Sequence, residues 1–230
     1  MICGETHLRN EIYNKNFSEE NFYKKLIETE KPVIIDIGAH TGESVDFFSK
    51  IFPNAEIFSV EPDPESYQKL VNNVARNVTT FNAAVGSSNK TLSFYQYDKS
   101  HLNSLYPINK DSQDSLGYAE SCIEKKIDVS CITLDSLVDK LDLNDVEIDL
   151  LKIDVQGAEL DIFSSGQNAL KKINNITLEL NLFDFYEKKN NFLSLESLLH
   201  GFELYAITKL SQNPKNFRTD WVEVFYKSLT

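Results

Sequence analysis

Three short apolar runs in the first half of the chain break off in the same way, and this constrains the fold more than any other feature. "PVIIDIG" (residues 32–38), "AEIFSVEPD" (55–63) and "VTTFNAAVG" (78–86) each end in glycine, an acid or small residues. A run that is apolar at every position, rather than at every second one, is a strand covered on both faces, as in a parallel sheet. The stretches between the runs have helical spacing. Val45, Phe47 and Phe48 follow the first, behind an N-terminus at Thr41 or Gly42, and "PESYQKLVNNVAR", with Pro64 in its first turn, follows the second. The order β-α-β-α-β predicts an α/β, doubly wound, Rossmann-like sheet with helices on both faces.

The rest of the chain continues the theme with one interruption. "TLSFYQY" reads as a strand, "IDVSCITLDSLVDKL" as a strand running into a helix, and "VEIDLLKIDV" as the most apolar strand of the second half. "QGAELDIFSSG" is a turn and helix, and "NITLELNLF" a strand. "LSLESLLHGFELYAI" is a helix stopped at Gly201 and followed by a strand, and "WVEVFYKSL" is a closing strand. Residues 98–126 are polar, long and without period, which suggests an insertion or lid. Residues 1–31 read as a helical preface, with Ser18 capping a helix whose Phe22, Tyr23, Leu26 and Ile27 share one face. No repeat or linker divides the chain, so residues 1–230 are expected to form one domain.

The loop "DIGAHTG" (36–42) decides the ligand class. A ligand lying across a strand end and a helix start needs glycine for close approach, and Gly38 and Gly42 meet that need. The dinucleotide pattern GxGxxG is absent, since His40 stands where its second glycine belongs, and the phosphate-binding GxxxxGK[ST] is absent too. An aspartate entering the loop repels phosphate, so Asp36 suits a ligand carrying positive charge. S-adenosylmethionine has an ammonium and a sulfonium. Glu61, at the next strand end, can accept from both ribose hydroxyls. In "FNAAVG" the small residues leave room for adenine, and Asn82 can bond its edge. All three strand ends face the crevice where α/β sheets bind ligands.

Composition removes several classes. The net charge of −12, from 23 basic and 35 acidic residues, disfavours nucleic acid and anionic membrane as partners. No apolar run reaches the roughly 18 residues of a spanning helix. The N-terminal residues do not read as a signal peptide, and Cys3, Cys122 and Cys131 form no metal or redox motif. Free thiols and, by elimination, a cytoplasmic location are expected.

With these pieces in order the chain resembles the FkbM family of class I S-adenosylmethionine-dependent methyltransferases. The resemblance rests on "VIIDIGAHTGESVDFF", "IFSVEPDPESYQKLVNNV", "FNAAVGSSNKTLSFY", "ITLDSLVD" and "DLLKIDVQGAELDIFSSG", over residues 31–182 with a looser continuation. It implies a seven-stranded sheet whose last strand is antiparallel, and methyl transfer, most often to a hydroxyl oxygen of a sugar, glycan or natural product. It also implies that Asp36, Gly38 and Gly42 hold the methionine part of the donor, Glu61 the ribose, and Asn82 with Ala83 the adenine. His40 takes the place of a mid-loop glycine that many methyltransferases have and many members of this family lack. Residues 1–30 and 98–126 match nothing specific.

An alcohol is a weak nucleophile, so a base has to take its proton. Asp154, ending "DLLKID", is the first candidate, and its other reading is a helix cap. Glu159, in the first turn of the next helix, either complements the helix dipole or contacts the acceptor. His101 is a candidate base from the irregular segment. Lys152 shares a strand face with Asp154 and can pair with it. Asp154, Glu179 and Asp184 can offer oxygens to Mg²⁺, but no ligand spacing is diagnostic and no metal is expected. Rings in "LFDFYEKKNNF" and "FRTDWVEVFYK" can stack on a sugar or simply pack in the core. The rival readings are an NAD-linked oxidoreductase, which should show the third glycine, a non-catalytic scaffold of the same fold, and a methyltransferase acting on protein or nucleic acid. Oligomeric state cannot be read from the sequence.

Overall fold

A computed structural model describes residues 4–75, 77–112, 114, 116–188 and 192–230. Cys3 lies outside them; Cys122 and Cys131 are buried free thiols. The chain runs α1 (Gly4–Asn16), α2 (Glu19–Leu26), β1 (Val33–Ile37), α3 (Glu43–Ile51), β2 (Glu56–Val60), α4 (Pro64–Asn73), β3 (Val78–Phe81), β4 (Ala84–Val85) and β5 (Lys90–Tyr97). There follow α5 (Tyr118–Ser121), β6 (Glu124–Ile132), α6 (Leu134–Lys140), β7 (Leu150–Ile153), α7 (Glu159–Ser164), β8 (Asn175–Asn181), α8 (Phe192–Leu198), β9 (Phe202–Gln212) and β10 (Thr219–Ser228).

The main sheet has seven strands in the order β3-β2-β1-β7-β8-β10-β9. The pairs β2–β3, β1–β2, β1–β7 and β7–β8 are parallel, whereas β10 is antiparallel to β8 and β9. This is the mostly parallel sheet with an antiparallel last strand that the sequence implies. Ile34, Ile35, Leu150 and Leu151, at its centre, are completely buried, as unbroken apolar runs require. The expected cap is present, with Ser18 accepting the Asn21 N–H, and Asp63 caps α4 by accepting the Ser66 N–H ahead of Pro64.

One expectation needs correction. "VTTFNAAVG" is not a single strand. Val78–Phe81 joins the main sheet, whereas Ala84–Val85 pairs with β6 in a second sheet of order β4-β6-β5. "TLSFYQY" belongs to this second sheet as well. The physical reason is in β6, where exposed and inward residues alternate in "KIDVSC", the pattern of a sheet with one wet face. Residues 124–126 of the presumed insertion form the start of β6.

The two faces of the main sheet differ. One is apolar along its whole length, where Leu178, Leu180, Val222, Val224 and Tyr226 pack with Leu134, Leu137, Phe163 and Leu195 of α6, α7 and α8. The other is apolar only at one end. There Ile34, Leu150 and Phe225 pack with Tyr23 of α2 and with Val45, Phe48 and Ile51 of α3. Toward the C-terminal strand ends it turns polar, from Ile34 to Asp36, from Leu150 to Lys152, and from Thr177 to Glu179 and Asn181. The antiparallel β10 sets Glu223 opposite Glu179 and Trp221 opposite Asn181. Phe225 therefore closes the dry part of this face. It is fully buried and meets Phe22 and Tyr23 edge-on at 5.0 and 6.1 Å. Phe225→Ala is expected to destabilise the chain by about 3–5 kcal/mol in urea unfolding. A loss under about 1 kcal/mol would show that α2 is not clamped through this ring.

Candidate active site

The β1–α3 loop is shaped by its neighbours. Gly38 has φ of +80°, and a Cβ built there would lie 1.8 Å from the Asp154 carbonyl oxygen. Glycine is therefore required by the approach of the β7 end. The Gly38 and Ala39 N–H groups donate to Val60 O, fastening the loop to β2. Gly42, at φ +103°, is the N-cap of α3 and sits against Leu70, outside the cavity lining.

Asp36 departs from its expected place. It is fully buried and does not line the cavity. Its Oδ2 accepts from Ser44 Oγ at 2.5 Å, and its Oδ1 faces Lys152 Nζ at 3.2 Å without accepting a hydrogen bond. Asp36 is on the same sheet face as its register partner Lys152, and Lys152 and Ser44, which do line the cavity, cover it. The positive group Asp36 meets is thus a lysine of the chain. Lys152 also donates to Gly38 O at 3.2 Å and stands 3.9 Å from Asp154 Oδ2. Burial works against its charge, but Asp36 and Asp154 outweigh this and hold its pKa above the ordinary lysine range.

Glu61 ends β2 and lines the cavity with 6% exposure. Its oxygens accept from His40 N and Asp63 N, both at 2.8 Å, which leaves each oxygen a further lone pair. Ala83 also lines the cavity. Asn82 does not: its amide donates to Glu61 O and Pro62 O at 2.9 and 3.1 Å and holds the loop that presents Glu61.

Asp154 opens to the cavity with a side chain 38% exposed. Gln156 Nε2 donates to its Oδ1 at 2.7 Å and to Glu179 Oε1 at 3.1 Å. Gln156 adopts φ of +56°, with its carbonyl accepting from Ser104 Oγ at 2.6 Å and Tyr186 OH 3.1 Å from its Oε1. The sequence reading missed Gln156, although Lys152, Asp154 and Gln156 stand at alternate positions. Glu159 is buried, outside the cavity lining, and accepts the Gly157 N–H at 3.0 Å, consistent with the structural one of its two readings. Asp184 is exposed and outside the lining, so the three presumed oxygen donors are not brought together. His101 lines the same cavity as Asp154, with its pKa lowered by burial and then by His40 and Lys99. The neighbouring Ser100 Oγ lies 2.9 Å from His40 Nε2, and Leu102, Asn103, Leu105 and Tyr118 of the same segment also line the cavity.

These groups surround a cavity of about 770 Å³ at the C-terminal ends of β1, β2, β7 and β8. The family model for the methyltransferase FkbM domain matches residues 36–204. The chain belongs to the FkbM methyltransferase family. Its curated relatives include the 2-O-methyltransferase NoeI of Sinorhizobium fredii, 28% identical over 187 residues that cover 79% of this chain and 76% of that protein. Methyltransferase sdnD of Sordaria araneosa is 28% identical over 194 residues, covering 73% of each. Among solved structures, a putative rRNA-methylase from Clostridium thermocellum superposes with a TM-score of 0.51 at 10% identity, covering 92% of this chain and 94% of that one, a likeness of fold. This FkbM domain is an S-adenosylmethionine-dependent methyltransferase. Its cavity suits such a donor in charge: the carboxylates of Glu61, Asp154 and Glu179 line it with Lys152, while the lining Lys209 is paired with Glu19 and Glu223. Among the described residues no helix is long and apolar enough to cross a membrane.

Burial pushes the Glu61 carboxyl up to about 7, against the pull of the Asp63 and His40 N–H groups. Raised above its unfolded value, it stabilises the fold fully below that value, and the contribution is lost as pH rises through about 7. Stability measured without ligand should fall between about pH 4.5 and 7. Glu61→Gln should flatten that decline by on the order of 1–3 kcal/mol. Identical pH slopes of urea stability in the two proteins would refute the assignment.

Proposed function

We propose that this chain transfers the methyl group to a hydroxyl oxygen of a sugar, glycan or small natural product, with Asp154 as the general base. The observation that carries the reading is the place of Asp154. Its carboxylate opens into the cavity that also contains Glu61 and the Gly38 bend, and it is steadied by Gln156 and Lys152. NoeI, a 2-O-methyltransferase by name, supports oxygen as the acceptor atom.

When bound, S-adenosylmethionine supplies an electrophilic methyl and a neutral leaving group. The protein has to bind, align and remove one proton. Glu61 offers its remaining lone pairs to the ribose hydroxyls, and Gly38, His40 and Gly42 shape the loop beneath the methionine part. Ala83 lies beside the adenine, while Asn82 acts through the Glu61 loop. Asp36 acts at one remove, by holding Lys152. Asp154 takes the acceptor proton as the new bond forms, a contribution of about 10²–10⁴ in rate. His101 shares the cavity and is the second candidate. Glu159 is assigned to the turn around Gly157. We read residues 1–230 as one methyltransferase domain with a helical preface (1–31) and an insertion (98–126) whose last three residues open β6, in a cytoplasmic protein whose acidity disfavours nucleic acid.

Calorimetry and a labelled-methyl assay over neutral sugars, glycans and phenols test the assignment. Glu61→Ala should weaken S-adenosylhomocysteine binding about tenfold or more. Asp154→Asn should leave that affinity within about threefold and lower kcat by about 10²–10⁴. Full turnover in Asp154→Asn would pass the role of base to His101, and binding of NAD in place of S-adenosylhomocysteine would overturn the reading.

A further inference from the structure

In a doubly wound sheet both faces are normally dry, yet here three neighbouring strands present polar side chains on one face. Thr177, Glu179 and Asn181 of β8, Trp221 and Glu223 of β10, and Lys209 and Ser211 of β9 all line the cavity. Register places Trp221 between Asn181 and Ser211, and Glu223 between Glu179 and Lys209. The floor is continuous with the reacting end, because Gln156 bonds both Asp154 and Glu179. It lies beyond Glu61 and Ala83 across the sheet, away from the residues assigned to the donor.

We propose that this floor is the acceptor subsite, and that it takes an uncharged polyhydroxylated ring lying against Trp221 with its hydroxyls on Asn181, Ser211 and Glu223. The proposal rests on the reading of methyl transfer to a hydroxyl. Three features point to that ligand. Among the described residues no ring or cation stacks on Trp221, so its face is available for a C–H-rich sugar face. The Asn181 amide and the Ser211 hydroxyl make no side-chain hydrogen bond among the described residues, and a vicinal diol satisfies such donors and acceptors. The carboxylates outnumber the cations: Glu179 and Glu223 line the floor with Lys209, which is already paired with Glu19 and Glu223, and the neighbouring Asp220 is paired with Arg218. That balance disfavours acidic sugars and phosphorylated acceptors.

Trp221 is the only tryptophan in the chain, so its fluorescence reports on the floor directly. The full chain is titrated with methyl glucoside, methyl galactoside, maltotriose, glucuronic acid and catechol, with and without S-adenosylhomocysteine. A saturable change with at least one neutral sugar, absent with glucuronic acid and catechol and at least fivefold weaker in Asn181→Ala, is the expected result. Trp221→Phe, followed by calorimetry, should weaken the same sugar. Asn181→Ala is accepted as folded when its Trp221 emission maximum matches that of the parent chain. No response to any neutral sugar, equal response to glucuronic acid or catechol, or equal affinity in Asn181→Ala would overturn the subsite. Calorimetric binding of S-adenosylhomocysteine alongside such a result would leave the donor reading standing. Failure of that binding with an intact sugar response would sink the donor reading instead.

Discussion

The tips of β1 and β7 touch, and the site depends on that contact. The Asp154 N–H donates to Ile37 O at 2.9 Å, and the Asp154 carbonyl occupies the space where any Gly38 side chain would stand. Beneath it, Lys152 ties together Asp36, Gly38 O and Asp154. One buried cluster thereby fixes the distance between the donor loop and the proposed base. A buried ion pair of this kind adds little to stability on balance, because desolvation cancels most of the attraction. What it supplies here is position. Removing either partner leaves an uncompensated charge under the loop, so the cluster resists rearrangement even though its formation yields little net energy.

The strand order of the first half could be read because fully buried parallel strands leave an unambiguous mark, an apolar run cut off by glycine or an acid. The place of Asp36 could not. Its position before Gly38 suggested a ligand contact, but whether a ligand can reach a strand residue depends on whether a neighbouring side chain covers it. One such neighbour, Lys152, lies more than a hundred residues away in the chain. The split of "VTTFNAAVG" was hidden for a similar reason. Ala83 to Val85 look like a continued strand, and only the distant, one-faced alternation in β6 supplies the second sheet they join. Gln156 was harder to see, because its alternate spacing with Lys152 and Asp154 runs past the end of β7 into a left-handed turn. The place of Glu61 on the cavity wall was easier to read, because it directly follows the tip of β2.

The roof over the site is built from the least legible segment, and its contacts give it coherence. Ser100 reaches His40 on the donor side, and Ser104 reaches the Gln156 carbonyl on the side of the base. Tyr106 meets Asp161 of α7, which Lys188 also engages. One stretch of about seven residues therefore touches both halves of the site. These polar bonds accompany a small apolar cluster in which Leu102, Ile108, Ala119 and Cys122 pack with Phe185 and Tyr186 at no regular spacing, so the sequence of the roof has no period to read. Its order comes from the residues it covers.

The charge pattern explains why a glycine-poor loop is sufficient. A pyrophosphate needs several bare N–H groups at a helix start, hence a triplet of glycines. The cavity here has few such groups to spare. The His40 N–H is spent on Glu61, and the Gly38 and Ala39 N–H groups on Val60 O. Carboxylates at Glu61, Asp154 and Glu179 form the wall instead, and burial beside Asp154 lifts the Glu179 carboxyl to about 7. A wall of that kind gains its full negative charge only near neutral pH. A ligand that brings positive charge, as a sulfonium does, suits such a wall, and a phosphate does not.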